Sequence, residues 1–201
     1  MTEGDRFARA LRRAVEGIWE VSDTLAARLE AHYELMLRWN RRMKLTSVTG
    51  LEEAVVRHYA ESIFLAANLP AGACTVVDVG SGAGFPGFPL ALCRPECSVT
   101  LVESVGKKAA FLEEACRGVA NVRVAAVRAE SLEARFDWLV SRAVAWREIP
   151  KLAGRFAVLV GGDDAAVLGG RKVRLPWGER RWLVMGEYCA EPALPDGSHP
   201  G

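Results

Sequence analysis

TVVDVGSGAGFPG, residues 75–87, is the stretch of this chain that indicates its fold most clearly. Val76-Val77 is a β-branched start typical of a buried strand, and Asp78 is followed by alternating glycines and by Pro86. Glycine lets a backbone turn through positive φ and approach a ligand closely, and proline suits the first turn of a helix. The segment therefore predicts a strand, a tight glycine turn and a helix, with a ligand lying over the turn.

Two classes of ligand suit such a loop. Gly82, Gly84 and Gly87 match the dinucleotide fingerprint G-x-G-x-x-G, which is a weak signal on its own. Asp78 to Gly84 match D-x-G-x-G-x-G, the loop of enzymes that bind S-adenosylmethionine on a doubly wound sheet. The rest of the chain has to decide between these two ligands.

The composition is that of one globular domain with a substantial core, since 50% of the 201 residues are hydrophobic. Residues 1–20 are rich in Arg, Asp and Glu, which argues against a secretory signal, and no uncharged apolar run reaches the roughly 18–20 residues of a membrane helix. A net charge of +1 neither demands nor excludes nucleic acid, so an RNA partner would need a local basic patch.

The five cysteines are odd in number and lack a paired CxxC spacing, so we interpret them as reduced thiols of a cytosolic protein without a metal site. They are Cys74, Cys93, Cys97, Cys116 and Cys189.

Strands alternate with helices along the middle of the chain, which predicts a mostly parallel, doubly wound α/β sheet of the Rossmann-like class. Strands are predicted at 76–79, 98–102, 122–127, 136–140 and 156–160, followed by an antiparallel hairpin of 172–175 and 181–185. Helices are predicted at 5–19, 22–40 and about 52–69, then before Arg94 and over 106–116. Ser22 is the expected N-cap of the second helix, and Thr49 with Glu52 forms a capping box for the third.

We divide this single domain into three parts. Residues 1–70 form an N-terminal helical extension packed on the core, 71–189 form the cofactor-binding core, and 190–201 form a flexible tail.

Charged side chains end four of the predicted strands: Asp78, Glu103, Glu130 and Arg142. A doubly wound sheet binds its ligand outside these carboxyl ends, where Glu103 can accept both ribose hydroxyls of either candidate ligand. Asp78 can hold the loop by accepting its N–H groups, or attract a cationic amino-acid group. The placement of Asp78, the position of Glu130 beside the expected adenine and the closing hairpin favour S-adenosylmethionine.

Arg38 to Lys44 contain four basic residues and Trp39. Two interpretations stay open for this run: a solvated helix end, which the helix dipole favours, or a contact to RNA phosphates. The same alternatives apply to Lys107 and Lys108. His58, beside Arg57, is a lone histidine of the kind that is more often structural than catalytic.

At several segments the chain resembles the bacterial glucose-inhibited division protein B family, the 16S ribosomal RNA guanine-N7 methyltransferases. The matching segments run in family order from residue 39 to 145. They are WNRRMKLTSV (39–48), EEAVVRHYAESI (52–63), VVDVGSGAGFPGFPLAL (76–92), VTLVESVGKKAAFL (99–112), RAES (128–131) and SRAVA (141–145).

The resemblance implies an enzyme that transfers a methyl group from S-adenosyl-L-methionine to guanine N7 of 16S ribosomal RNA or the small ribosomal subunit. We expect a cytoplasmic monomer with no membrane contact. Because N7 has a free lone pair and no proton, we predict no catalytic residue. The alternatives are a methyltransferase of the same fold with another substrate, a nucleotide-dependent oxidoreductase, and a non-catalytic RNA-binding relative.

The cofactor positions of the family fall on Gly80, Phe85, Ala129, Glu130 and Arg142 of this sequence. The general logic of the fold adds Asp78, Ser81, Gly82, Glu103 and Ser104. The predicted RNA contacts are Arg41, Arg42, Lys44, Arg57, His58, Lys107 and Lys108.

Three positions depart from the residues that the family usually carries. Lys44 replaces an asparagine, Glu61 replaces an aspartate, and Val160 stands near the place of a lysine at the end of strand five. These departures leave the predicted cofactor pocket intact and concern the RNA face.

Overall fold

A computed structural model of the chain describes residues 3–142 and 149–188, with side chains from residue 6 onward. Cys189, the predicted tail and the last three residues of the SRAVA segment lie outside these ranges. The other four cysteines, Cys74, Cys93, Cys97 and Cys116, are free thiols.

Seven strands form one sheet in the order β3-β2-β1-β4-β5-β7-β6. Neighbours among the first five strands pair in parallel, and β7 pairs antiparallel with both β5 and β6. The strands are β1 Thr75–Val79, β2 Ser98–Val102, β3 Val122–Ala125, β4 Phe136–Arg142, β5 Ala153–Gly161, β6 Arg171–Arg174 and β7 Arg181–Glu187. The predicted doubly wound sheet with a C-terminal hairpin is confirmed.

Helices cover both faces of the sheet. They are α1 Glu3–Ala14, α2 Asp23–Asn40, α3 Leu51–Ala54, α4 Glu61–Asn68, α5 Gly87–Cys93, α6 Gly106–Ala115 and α7 Gly162–Val167. A π-helical segment, Val55–Ala60, joins α3 to α4, and a 3-10 turn spans Ala129–Ser131. Within the described ranges, no helix combines the length and the apolar character needed to cross a membrane.

The predicted helix caps have different outcomes. The Ser22 hydroxyl accepts a hydrogen bond from the Leu25 N–H at 3.1 Å, which confirms the cap of α2. The capping box of Thr49 and Glu52 is wrong, because Gly50 occupies the N-cap position of α3 without a side-chain bond. The Thr49 carbonyl instead accepts the Tyr33 hydroxyl at 2.7 Å. A tertiary contact to α2 therefore fixes this loop.

The two faces of β1 enter different parts of the core. Val76 belongs to a hydrophobic cluster that extends from Phe7 of α1 to Met185 of β7. Val77 belongs to the cluster on the other face, with Leu139 and Phe156. Alternate side chains of a strand point to opposite faces, so both valines are buried and hold β1 at the centre of the sheet.

Helix α5 packs directly on β1 and β2 through Gly87. A Cβ added at Gly87 would overlap Leu101 Cδ2 and would lie 2.7 Å from Asp78 Oδ2. These distances are shorter than real Cβ contacts, so only glycine allows this approach.

We predict that Gly87→Ala lowers the free energy of unfolding by about 1–3 kcal/mol, because the added methyl group pushes α5 away from the sheet. Urea denaturation followed by circular dichroism measures this change. Gly106→Ala is the matched control, since a Cβ at Gly106 meets no heavy atom within 4 Å. Equal unfolding midpoints for the two variants would contradict the prediction.

Candidate functional site

Hydrogen bonds to the next strand hold the bend between β1 and α5. The Gly80 and Ser81 N–H groups both donate to the Val102 carbonyl at 3.0 Å. Gly80, Gly82 and Gly84 have φ values of 71°, 55° and 90°, in the left-handed region that other residues rarely adopt. The alternating glycines are therefore required by the path of the main chain.

The Glu103 carboxylate links this bend to the start of α6. Its Oε2 accepts the Gly82 N–H at 3.0 Å, and its Oε1 accepts the Val105 N–H at 2.8 Å. The sequence did not predict this structural role. A carboxylate has about four lone-pair sites, so positions remain on Glu103 for the two ribose hydroxyls.

Asp78 is fully buried beneath the bend. Its Oδ2 accepts the Gly87 N–H at 2.9 Å, and its Oδ1 has no hydrogen-bond partner among the described residues. Burial raises the pKa of Asp78 to about 7, against the opposing effect of the Gly87 hydrogen bond. Of the two roles considered for Asp78, holding the loop or attracting a cationic group, the geometry matches the first.

A cleft of about 260 Å³ opens at the carboxyl ends of β1 to β3. Five of the predicted cofactor residues line it: Gly80, Glu103, Ser104, Ala129 and Glu130. Val79, Val102, Val127 and Pro150 supply apolar walls. The structure thus brings together residues from three strand ends, as the sequence predicts.

The other five predicted cofactor residues lie outside the lining of this cleft: Asp78, Ser81, Gly82, Phe85 and Arg142. The Phe85 ring is 2% exposed and stacks on His58 at a centroid distance of 4.6 Å. Arg142 Cζ lies 5.1 Å from the Phe85 centroid, and its guanidinium donates to the Arg57 carbonyl. The Phe85 ring therefore packs in the core that joins the bend to the N-terminal helices. Ser81 is also buried, and its hydroxyl donates to the Asp78 carbonyl.

Arg142 lies in a group of partly buried charges. Burial lowers its pKa to about 10, and the nearby Glu61 carboxylate acts in the opposite direction, so Arg142 stays cationic at neutral pH. Glu61 accepts two hydrogen bonds from Arg181 of β7, at 3.1 Å and 2.7 Å. Glu61, one of the departures from the family, thereby ties α4 to the hairpin. No sequence signal identified Arg181, because the partners are 120 positions apart.

The predicted RNA contact at His58 does not fit the structure. The ring is 5% exposed, and its Nε2 lies 3.0 Å from the Thr46 hydroxyl. Burial, with a smaller contribution from the Arg142 charge, lowers the pKa of His58 to about 3. A buried neutral imidazole offers no cation to a phosphate, so we correct this assignment to a structural role.

The other predicted RNA contacts separate into two groups. Arg41, Arg42 and Lys107 line a groove of about 570 Å³ between the end of α2 and the start of α6, which we name the basic groove. Arg38 and Trp39 also line it, and the Trp39 N–H donates to Glu114 at 3.0 Å. The remaining three lie outside the lining: Lys44 and Arg57, which are exposed, and Lys108, which is partly buried.

We predict that Asp78→Asn changes the pH dependence of stability. The pKa of Asp78 is higher in the folded chain than the ordinary value of 3.8, so its stabilising contribution is full below about pH 4 and is lost as the pH rises through 7. The wild type should therefore lose up to a few kcal/mol relative to Asp78→Asn between these pH values.

Urea denaturation of both proteins across that pH range measures this difference. Asp164→Asn, which changes an exposed acid of α7, is the control. Parallel stability profiles for the wild type and Asp78→Asn would rule out the buried titration.

The cleft residues fit S-adenosylmethionine, the cofactor that the sequence predicts. The flat apolar walls suit an adenine ring, the free lone pairs of Glu103 suit ribose hydroxyls, and Glu130 is exposed at the rim. Space around Gly82 is open, since the nearest atom to an added Cβ is the Gly80 oxygen at 3.9 Å. The main chain at Gly82 is therefore accessible to a bound molecule.

Two solved structures share the fold of this chain. A ribosomal protein L11 methylase from Lactobacillus delbrueckii subsp. bulgaricus aligns with a TM-score of 0.53 and 13% identity, over 66% of this chain and 79% of its own. An S-adenosyl-L-methionine-dependent methyltransferase from Methanococcus maripaludis, described as putative, aligns with a TM-score of 0.50 and 12% identity, over 67% and 86%. At such low identity these likenesses show the fold alone.

The sequence comparisons are more specific. A relative named ribosomal RNA small subunit methyltransferase G, from Xanthomonas campestris pv. campestris, is 44% identical over 137 residues, or 66% of this chain and 61% of its own length. The protein of that name from Xanthomonas euvesicatoria pv. vesicatoria is 41% identical over 153 residues, covering 74% and 68%. The chain thus spans about three fifths of the first relative.

The family model described as GidB, rRNA small subunit methyltransferase G, matches residues 25–159. This range contains the glycine bend, the cleft and the basic groove. The chain therefore belongs to the GidB family.

Proposed function

We propose that this chain is an S-adenosylmethionine-dependent methyltransferase that methylates N7 of a guanine in 16S ribosomal RNA. One observation carries this proposal: the turn that leads into α6 contributes a residue to both the cleft and the basic groove. Ser104 lines the cleft, and Lys107, three residues later, lines the groove. We infer that a nucleotide whose phosphates lie in the groove can present its base to the cleft.

In the proposed complex, each part of the cleft binds a different part of the cofactor. Glu103 accepts the ribose hydroxyls, and the valines with Pro150 enclose the adenine. Asp78 holds the bend from the buried side by accepting the Gly87 N–H. The Glu103 hydrogen bonds to Gly82 and Val105 keep this arrangement in place before the ligand binds.

The proposed methyl transfer requires no acid–base catalysis by side chains. S-adenosylmethionine supplies an electrophilic methyl group when it is bound. Guanine N7 carries a lone pair and no proton, so the reaction needs no general base. Burial lowers the pKa values of His32 and His58 to about 3. Both rings are therefore neutral and are not general acids in the proposed reaction. We therefore assign the protein the tasks of positioning and of excluding water.

RNA structure restricts the target. The N7 edge of guanine lies in the deep, narrow groove of A-form RNA, which side chains cannot read. We infer that the target is an unstacked nucleotide whose flanking phosphates contact Arg38, Arg41, Arg42 and Lys107 of the basic groove. A ribosomal substrate puts the proposed activity in the cytoplasm, and a monomer suffices because one chain lines both sites.

Transfer of tritiated methyl groups to isolated small ribosomal subunits and to naked 16S ribosomal RNA tests the proposal. We expect incorporation that maps to N7-methylguanine at one position. Incorporation only into small molecules of a cell extract would support the same fold with another substrate. RNA binding without any transfer would identify a non-catalytic relative and refute the enzymatic proposal.

We predict that Glu130→Ala weakens binding of S-adenosylhomocysteine at least about tenfold, because a hydrogen bond to a charged group contributes about 1.5–3 kcal/mol. Isothermal titration calorimetry measures this affinity. Glu133→Ala is the control, since Glu133 is an exposed acid three residues beyond the cleft. The assignment of Glu130 fails if both variants bind the product like the wild type.

We predict that Arg41→Gln with Arg42→Gln weakens RNA binding and lowers the salt slope of the binding constant by about 1.4, the value for two single-strand phosphate contacts. Filter binding at several salt concentrations gives this slope. Arg171→Gln with Lys172→Gln removes two adjacent exposed charges from the edge strand β6 and serves as control. An unchanged slope for the Arg41 and Arg42 variant would exclude the basic groove from RNA binding.

A further inference from the structure

A second groove lies on the N-terminal helices, outside both sites described above. It has a volume of about 600 Å³ and runs between α1, the start of the π-helical segment and the β6–β7 connection. Its floor is apolar and includes Ala10, Val56 and Trp177. We name it the α1 groove.

Three arginines of α1 form the rim of the α1 groove: Arg6, Arg9 and Arg13. Their i, i+3, i+7 spacing puts them on one face of the helix, over about 10 Å of its length. Glu52 is the acidic side chain among the described lining residues, and it pairs with Arg6 at 3.4 Å. Both partners are more than half exposed, so this ion pair is weak and the rim keeps a positive balance. The groove therefore suits an anionic occupant.

The floor of the groove adds an aromatic surface to this charge. Trp177 is partly exposed and is anchored edge-on to Phe64, with the ring centroids 6.1 Å apart. Opposite it, Ala10 and Ala14 of α1 are small and leave room beside the indole. Arginines around an accessible indole form the combination that binds single-stranded RNA, in which a base stacks on the ring and phosphates meet the cations.

The position of the groove connects it with the proposed substrate side of the molecule. Val56 in the floor directly precedes Arg57, whose carbonyl accepts a hydrogen bond from Arg142 at the end of β4. The α1 groove therefore lies one residue along the chain from a contact to the carboxyl edge of the sheet.

We propose that the α1 groove is a second RNA-binding surface, which holds a single-stranded segment of the substrate away from the target nucleotide. One unstacked base lies against Trp177, and adjacent phosphates contact Arg6, Arg9 and Arg13. The inference rests on the proposed function for the identity of the RNA. It extends the RNA contact from the basic groove to a separate face of the chain.

Fluorescence anisotropy of the full chain with a fluorescein-labelled oligouridylate tests this surface. Arg6→Gln with Arg13→Gln should weaken binding about tenfold and lower the salt slope by about 1.4. The β6 pair, Arg171→Gln with Lys172→Gln, is the charge-matched control and should bind like the wild type. Equal affinities of the Arg6 and Arg13 variant and of this control would overturn the proposal.

The contribution of the indole is tested separately. Trp177→Ala should weaken oligouridylate binding at least fivefold with an unchanged salt slope, since stacking involves no charge. Trp177→Phe should retain most of the affinity, because a phenyl ring can still stack on a base and still contact Phe64. A Trp177→Ala variant that is folded by circular dichroism and binds like the wild type refutes the stacking site. A groove that binds a polyglutamate peptide but not oligouridylate would indicate an acidic protein partner and also overturn the proposal.

Methyl transfer measured on the same proteins separates this inference from the proposed function. If the wild type transfers no methyl group but the arginine variant still loses RNA affinity, the α1 groove stands and the enzymatic proposal fails. If the wild type methylates ribosomal RNA while the arginine variant and Trp177→Ala both bind RNA like the wild type, the enzymatic proposal stands and the inference about the α1 groove fails.

Discussion

The hydrogen bond from the Gly87 N–H to the buried Asp78 carboxylate is the contact on which the site depends. It closes the glycine bend into a loop between β1 and α5, and it forms only because Gly87 has no side chain to separate helix and strand. Burying a carboxylate is costly, and this cost appears as the raised pKa of Asp78. The bend therefore combines close packing with an acid whose charge is sensitive to its surroundings.

A second carboxylate, that of Glu103, connects the glycine bend to the turn after β2. Glu103 holds the Gly82 and Val105 N–H groups, so the bend after β1 and the turn after β2 are held by one side chain. The cleft lies between these turns. Because Val105 leads into α6, the same side chain also positions Lys107 at the basic groove. The cleft and the basic groove are thus connected through one side chain.

Two residues that the resemblance assigned to the cofactor site, Phe85 and Arg142, support this arrangement from inside the core. Phe85 is enclosed by His58, His32 and Tyr59, and Arg142 covers its outer face. This packing fixes the N-terminal helices to the glycine bend, because Phe85 belongs to the bend and the other three rings belong to α2 and the π-helical segment. Phe85 therefore supports the glycine bend through core packing.

The sequence by itself determined the parallel sheet, the glycine bend, the closing hairpin and the acids at the strand ends, because these follow from local spacing and from backbone freedom at glycine. It also placed Gly80, Glu103, Ser104, Ala129 and Glu130 at one edge, since parallel strands end together. Only the tertiary structure decided which side chains are buried. It moved Phe85 and His58 into the core, paired Glu61 with Arg181 and brought Arg41 beside Lys107, because such contacts depend on how distant elements pack and have no local signal.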